Sequence, residues 1–256
     1  MFINKIFSYY SKSYYKAAAQ REQGRATIDV IKNISSNTVN SDKVYQKIKK
    51  IAIRFFIGRW YWPSTYPTAI DPPTGEFLYS LVKLTQPQTV VEIGTYKGNA
   101  AIAIGQALED NNKGILYTID PFEQELVRTA IKKSKLQDKI QYVIGYSHEV
   151  VPTLGLKTID LAFIDGDHSY QSVKKDIELV GAYIEKGGIV VFHDVLIDVA
   201  QGFDGPRRVI AELASSNKWN ISIYPTEVGV DENNKVCLRN QTKQFTPVGI
   251  AVCIKK

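Results

Sequence analysis

The sequence predicts an α/β fold built on a parallel sheet, and three observations predict it. From residue 76 onward, short runs rich in Val and Ile alternate with stretches of helical length and periodicity, as successive βαβ units do. Those runs are apolar almost throughout, as strands covered on both faces are. The first of them leads into a turn carrying two glycines, followed by small residues that open a helix.

The strands are expected at Thr89–Ile93, Ile115–Ile119, Ile140–Ile144, Leu161–Ile164 and Ile189–Phe192. The intervening stretches carry helical periodicity, for example Ser172 to Ile184. After Phe192 the pattern predicts a helix at Pro206–Ser216, a strand at Asn220–Tyr224, a polar loop around Asp231–Lys235 and a final strand at Val248–Ile254. The last two strands are expected to pair antiparallel at one sheet edge.

Residues 1–75 read as a separate helical extension, basic and aromatic, and residues 76–256 as the main domain. Pro63, Pro67, Pro72, Pro73 and Gly75 punctuate a loop between the two. The 256 residues carry a net charge of +6. Residues 1–60 hold 12 Lys/Arg against 3 Asp/Glu, and the rest of the chain 20 against 23, so the basic excess is all N-terminal. Phe2, Ile3, Ile6, Phe7, Tyr10 and Tyr14 can share a helical face ringed by Lys5, Lys12 and Lys16. That face suits peripheral membrane contact, or packing on its own domain or on a second subunit of a homo-oligomer. The acidic balance of residues 61–256 argues against a nucleic-acid groove there. Phe55, Phe56, Trp60, Tyr61, Trp62 and Tyr66 either lid an acceptor pocket or pack the extension against the sheet. With two cysteines, Cys237 and Cys253, and no membrane span or signal-peptide pattern, a cytoplasmic protein is expected.

The turn after the first strand reads Glu92-Ile93-Gly94-Thr95-Tyr96-Lys97-Gly98. Its glycines let the backbone turn tightly and approach a ligand. Asp120 ends the second strand, where an acid is placed to accept from ribose hydroxyls. The loop is not G-x-G-x-x-G, which favours a nucleoside-bearing cofactor without a pyrophosphate. All three histidines, His148, His168 and His193, fall just beyond predicted strand ends. If the fourth and fifth strands are neighbours, about 5 Å apart, then Asp165, Asp167, His168, His193 and Asp194 converge. Asp167 is alternatively a helix N-cap. A histidine there suits proton removal from a hydroxyl near neutral pH.

With E-x-G-x-x-x-G and Asp120, the chain resembles the class I S-adenosylmethionine-dependent methyltransferases. Its small-residue helix is similar to the small-molecule O-methyltransferase branch, which includes catechol, caffeoyl-CoA and macrocin enzymes. The resemblance covers roughly residues 76–256. It implies a Rossmann-like, doubly wound, seven-stranded sheet, mostly parallel with an antiparallel last strand. It implies S-adenosylmethionine (SAM) as cofactor, with Glu92, Gly94, Thr95 and Gly98 at the methionine end. Asp120 falls at the ribose, Gly145 and Ser147 beside the adenine, with His148 next to them. Asp165 and His168 match the position of a cation-binding Asp and of a base three residues later. Asp165, His193 and Asp194 occupy the cation-ligand positions. The family has Asp-Asn or Glu-Asp where this chain has His193-Asp194, and His is a soft ligand for Mg²⁺. The set therefore implies another divalent cation, or a metal-free site that orients the acceptor.

The function expected is an O-methyltransferase acting on a small hydroxylated acceptor such as a sugar, a phenol or a specialised metabolite. Three alternatives stand beside it. One is a methyltransferase with an amine or nucleic-acid acceptor. Another is a metal-dependent hydrolase using the Asp/His cluster. The third is a non-catalytic cofactor-binding protein.

Overall fold

A computed structural model describes Ile70 and residues 72–196, 204–224, 227–230 and 244–256. The expectations for residues 1–60, for the aromatic cluster Phe55–Tyr66 and for Asp231–Lys235 and Cys237 lie outside these residues.

The chain enters through helix α1 (Pro72–Thr85). Strand β1 (Thr89–Ile93) follows, then α2 (Asn99–Asn111), β2 (Ile115–Asp120), α3 (Glu125–Lys133) and β3 (Ile140–Ile144). A short α4 (Ser147–Val150) runs into a 3₁₀ turn, followed by β4 (Ile159–Ile164), α5 (Tyr170–Gly181) and β5 (Ile184–Phe192). Helix α6 (Gly205–Ser215) leads to β6 (Trp219–Tyr224), β7 (Glu227–Val230), β8 (Gln244–Pro247) and β9 (Ile250–Lys255).

All seven expected strands are present, several extended by one to five residues at one end. They form one sheet in the order β3-β2-β1-β4-β5-β9-β6. The first five are parallel, and β9 is antiparallel to both β5 and β6. The structure departs from the sequence reading in two places. Pro72, Pro73 and Gly75 lie in the first turn of α1, not in a loop. Proline is tolerated there because the first turn needs no backbone N–H. Between Tyr224 and Val248, where no strand is expected, β7 and β8 form a small antiparallel ribbon. Its four-residue strands, EVGV and QFTP, are too short and too broken by Gly and Pro to read as strands.

Alternation along each strand sends neighbours to opposite faces. Val90, Leu161, Phe163 and Val191 pack with α1, α2 and α3; Val91, Ala162, Ile164 and Val190 pack with α5 and α6. Local signals set the helices. Ser169 caps α5 by accepting from the Ser172 N–H, and Lys132 and Lys133 sit at the C-terminal end of α3. Among the described residues no helix is long and apolar enough to cross a membrane.

The strand order reverses at β1: the chain goes outward through β2 and β3, then returns to add β4 on the other side. Such a switch point opens a crevice at the carboxyl ends of the strands. Leu161 sits fully buried on β4 beside this point, paired with Val90 and Ile189. We expect Leu161→Ala to lower stability by about 2–5 kcal/mol in urea unfolding.

Candidate functional site

The turn after β1 determines the shape of the crevice. Gly94 has φ +92°, and a Cβ added there would lie 2.2 Å from the Asp165 carbonyl oxygen. Only glycine fits both the backbone conformation and the space. The Asp165 N–H in turn donates to the Ile93 carbonyl at 2.9 Å, and the Gly94 N–H donates to Ile119 at 2.9 Å. Gly98, at φ +82°, starts α2. Thr95 is buried, its hydroxyl 2.5 Å from that of Thr118.

Asp120 closes the loop from the β2 side. One carboxylate oxygen accepts from the Tyr96 N–H at 2.8 Å and the other from the Phe122 N–H at 2.9 Å. These bonds aim both oxygens at the crevice mouth and leave each with spare acceptor capacity. Glu92 is fully buried, and neither of its carboxyl oxygens has a hydrogen-bond partner. Burial pushes its carboxyl up to about 8; Asp165 and Asp120 add to the rise and the Thr118 hydroxyl opposes it.

Beyond β4 and β5 the acid–histidine cluster assembles as expected. Ile164 pairs with Phe192, so the two strand ends are neighbours. His193 Nδ1 lies 3.2 Å from Asp165 Oδ1 and 3.2 Å from Asp194 Oδ1, and Nε2 lies 3.4 Å from the Thr74 hydroxyl. Burial opposes a charge on His193, but Asp194 and Asp165 hold its pKa well above the ordinary value. Nδ1 therefore carries a proton shared between two carboxylates. His168 Nε2 lies 3.3 Å from Asp194 and 3.8 Å from Asp165. Its pKa is raised, chiefly by Asp165, with burial opposing and Asp194 assisting. Burial works against the charge on Asp165, yet His193 and His168 hold its carboxyl below the usual range. Asp194 adopts φ +56°, a left-handed conformation that Asp tolerates better than most residues.

A cation can be tested against this geometry. Single donor atoms of Asp165, His168 and Asp194 all lie within 4.8 Å of one another, close enough to share one ion. The expected donor set paired the two carboxylates with His193, whose Nδ1 lies 3.2 Å from an oxygen of each. Asp167 is not the cap of α5. It lies outside, accepting from the Ser169 N–H at 3.1 Å and from the Ser169 and Ser172 hydroxyls at 2.8 and 2.6 Å.

These groups line one cavity of about 810 Å³, ample for a nucleoside-sized ligand. It reaches from His193 and Asp194 past Glu92, Gly94 and Thr95 to Asp120, Gly145, Ser147 and His148. The orphaned Glu92 carboxyl, the Gly94 approach and the volume fit the cofactor that the resemblance implies.

Among the lining residues that escaped the sequence reading are Phe122 and Asp176. Phe122 and Tyr146 are exposed aromatics at the rim. Asp176 had a signal, since it interrupts the apolar face of α5 between Val173, Ile177 and Val180.

Residues 91–195 match a family model described as a methyltransferase domain. The chain is 36% identical over 115 residues to an uncharacterised protein of Acanthamoeba polyphaga mimivirus, covering 41% of this chain and 51% of that one. It is 29% identical over 179 residues to a catechol O-methyltransferase of Niastella koreensis, covering 66% and 80%. For several curated relatives the chain thus spans only about half of their length. An O-methyltransferase from Bacillus cereus, solved in complex with SAH, superposes with a TM-score of 0.60 at 18% identity, covering 89% of this chain and 97% of that one. At that identity the likeness shows a shared fold.

Glu92 gives the site a pH signature. Its folded pKa is raised above its unfolded value of 4.5, so its contribution to stability is fully present below 4.5 and lost as pH rises through about 8. We expect Glu92→Gln to remove that loss. In thermal unfolding, the stability of the wild type relative to the variant should fall between pH 4.5 and 8 by a few kcal/mol, on the order of 1.4 per pKa unit.

Proposed function

We propose, on the premise that this chain carries a methyltransferase domain of the O-methyltransferase family, that it transfers a methyl group from SAM to a hydroxyl of a small acceptor. The catalytic unit is taken as residues 76–256, with residues 1–75 as an extension. The carrying observation is that one cavity holds both a glycine turn with a buried acid and a histidine set between two carboxylates.

Bound in the cavity, SAM supplies a methyl group on an electron-poor sulfonium. Glu92, Gly94, Thr95 and Gly98 are assigned to its methionine end, Asp120 to its ribose, and Gly145 and Ser147 to its base. His168 is assigned as general base, taking the acceptor's hydroxyl proton as the oxygen attacks. Asp165 and Asp194 stabilise the imidazolium that results. His193 keeps those carboxylates aimed by sharing its Nδ1 proton between them. Holding the acceptor beside the methyl group supplies the rest, since orientation converts an encounter into an intramolecular step. The name of the Niastella relative favours a phenolic acceptor within this class.

The clustering of Asp165, His168 and Asp194 favours a second reading for the same reaction. A divalent cation held by these donors would lower the acceptor hydroxyl's pKa, and the mixed imidazole–carboxylate set suits a transition metal better than Mg²⁺.

Calorimetric titration with SAM and S-adenosylhomocysteine (SAH) tests the core of the proposal. We expect micromolar binding of both, and absence of binding to either would overturn it. Turnover measured with and without a chelator separates the two readings of the Asp/His cluster. Under the first, His168→Ala should abolish turnover while leaving SAH affinity within a few fold; wild-type turnover would remove His168 from the mechanism.

A base must be neutral to act, and the pKa of His168 is raised. The acidic limb of kcat/KM is therefore expected above pH 6.5, with activity rising as pH rises through it. Asp194→Asn should move that limb to lower pH.

A further inference from the structure

Asp176 takes no part in the chemistry described above. It lines the same cavity from α5, beside Ser147 and with His148 near enough to act on its charge, and its side chain is buried. A buried carboxyl on an otherwise apolar helix face carries a desolvation cost that needs a reason. Burial pushes it up to about 6, against the Ser147 hydroxyl and with Asp167 adding to the rise. At pH 7.5 it is therefore mostly ionised.

The Ser147 hydroxyl donates to Asp176 Oδ1 at 2.6 Å. With its proton so placed, the Ser147 oxygen can only accept from another group. The second Asp176 oxygen faces the backbone of Gly166, where an added Cβ would still be 3.9 Å away. Ser147 and Asp176 thus form a polar edge that offers acceptors to the cavity.

We propose that the Ser147–Asp176 pair reads the exocyclic amine of the cofactor's nucleobase and makes the site selective for adenine. This rests on the function proposed above and adds a specificity-determining residue, Asp176, to it. In that assignment the methionine end lies at the turn after β1 and the ribose at Asp120. The part left for the β3 and α5 side is the base, whose amine is its only strong donor. A hypoxanthine base, with a carbonyl in place of the amine, would bring an acceptor against two acceptors. Sites built to hydrogen-bond a donor reject analogues that lack it, because their own polar groups are left unpaired.

The test compares calorimetric binding of SAH with that of S-inosylhomocysteine, for the wild type and for Asp176→Asn. The wild type should prefer SAH by at least about tenfold, the scale of one charge-assisted hydrogen bond. Asp176→Asn can turn an amide N–H to the hypoxanthine carbonyl, so the preference should fall to within about threefold of unity, an order-of-magnitude change in ratio. A merely structural role for Asp176 would weaken both ligands together and leave the ratio unchanged. Equal binding of both ligands by the wild type, or an unchanged ratio in the variant, overturns the inference while the proposed function stands. No binding of SAH by the wild type overturns the proposed function instead, and this inference with it. If Asp176→Asn does not fold, by circular dichroism and thermal melting, Ser147→Ala provides the same ratio test, and a retained wild-type ratio overturns the proposal.

Discussion

The contact between the Gly94 backbone and the Asp165 carbonyl is the constraint on which the site depends. At the switch point β1 and β4 lie side by side, and their following turns must share one small volume. The chain meets that demand by removing a side chain: a Cβ at Gly94 would overlap the carbonyl at 2.2 Å. The bond from the Asp165 N–H to Ile93 then ties the second turn to the first. With its backbone held, Asp165 points its carboxylate toward His193 and His168. The cofactor turn and the acid–histidine cluster are thus two sides of one backbone contact.

Electrostatics divides the cavity into regions of different character. Glu92 is buried without a hydrogen-bond partner, which favours its neutral form. Asp165 and Asp194 are compensated by two imidazoles, and His193 gains enough from them to overcome its own desolvation. Such pairing keeps several ionisable groups inside a small volume at tolerable cost. Perturbed groups gathered in one concave site are the usual mark of chemistry rather than of structure alone. The backbone adds to this picture, since Tyr96 and Asp194 both adopt left-handed conformations at the cavity wall. Strain of this kind persists where surrounding contacts over-determine the conformation.

Much of this architecture is legible in the residues. The Val/Ile runs place the seven strands of the sheet because a strand covered on both faces has no polar alternation to hide. The glycine turn and Asp120 are legible because their chemistry is local: a positive φ, a close backbone approach and an acid at a strand end. The acid–histidine cluster is legible for a different reason. Parallel neighbours align their carboxyl ends, so residues 28 positions apart, such as Asp165 and His193, meet without any contact being visible in the chain.

What escaped the sequence depends on directions that only packing sets. The setting of the His193 ring, with Thr74 on one side and two carboxylates on the other, comes from packing between distant segments. Asp167 lies outside the cap of α5 because Ser169 sits two positions closer to the helix and accepts from the Ser172 N–H. Asp176 reaches the cavity because α5 turns that face toward Ser147, a pairing across 29 residues. The sequence by itself determined the fold class, the strands and the chemical types placed at their carboxyl ends, since periodicity and residue chemistry act locally. The tertiary structure alone decided which side chains face one another across that crevice, because ring rotation, helix rotation and the Gly94–Asp165 approach are settled by contacts between distant segments.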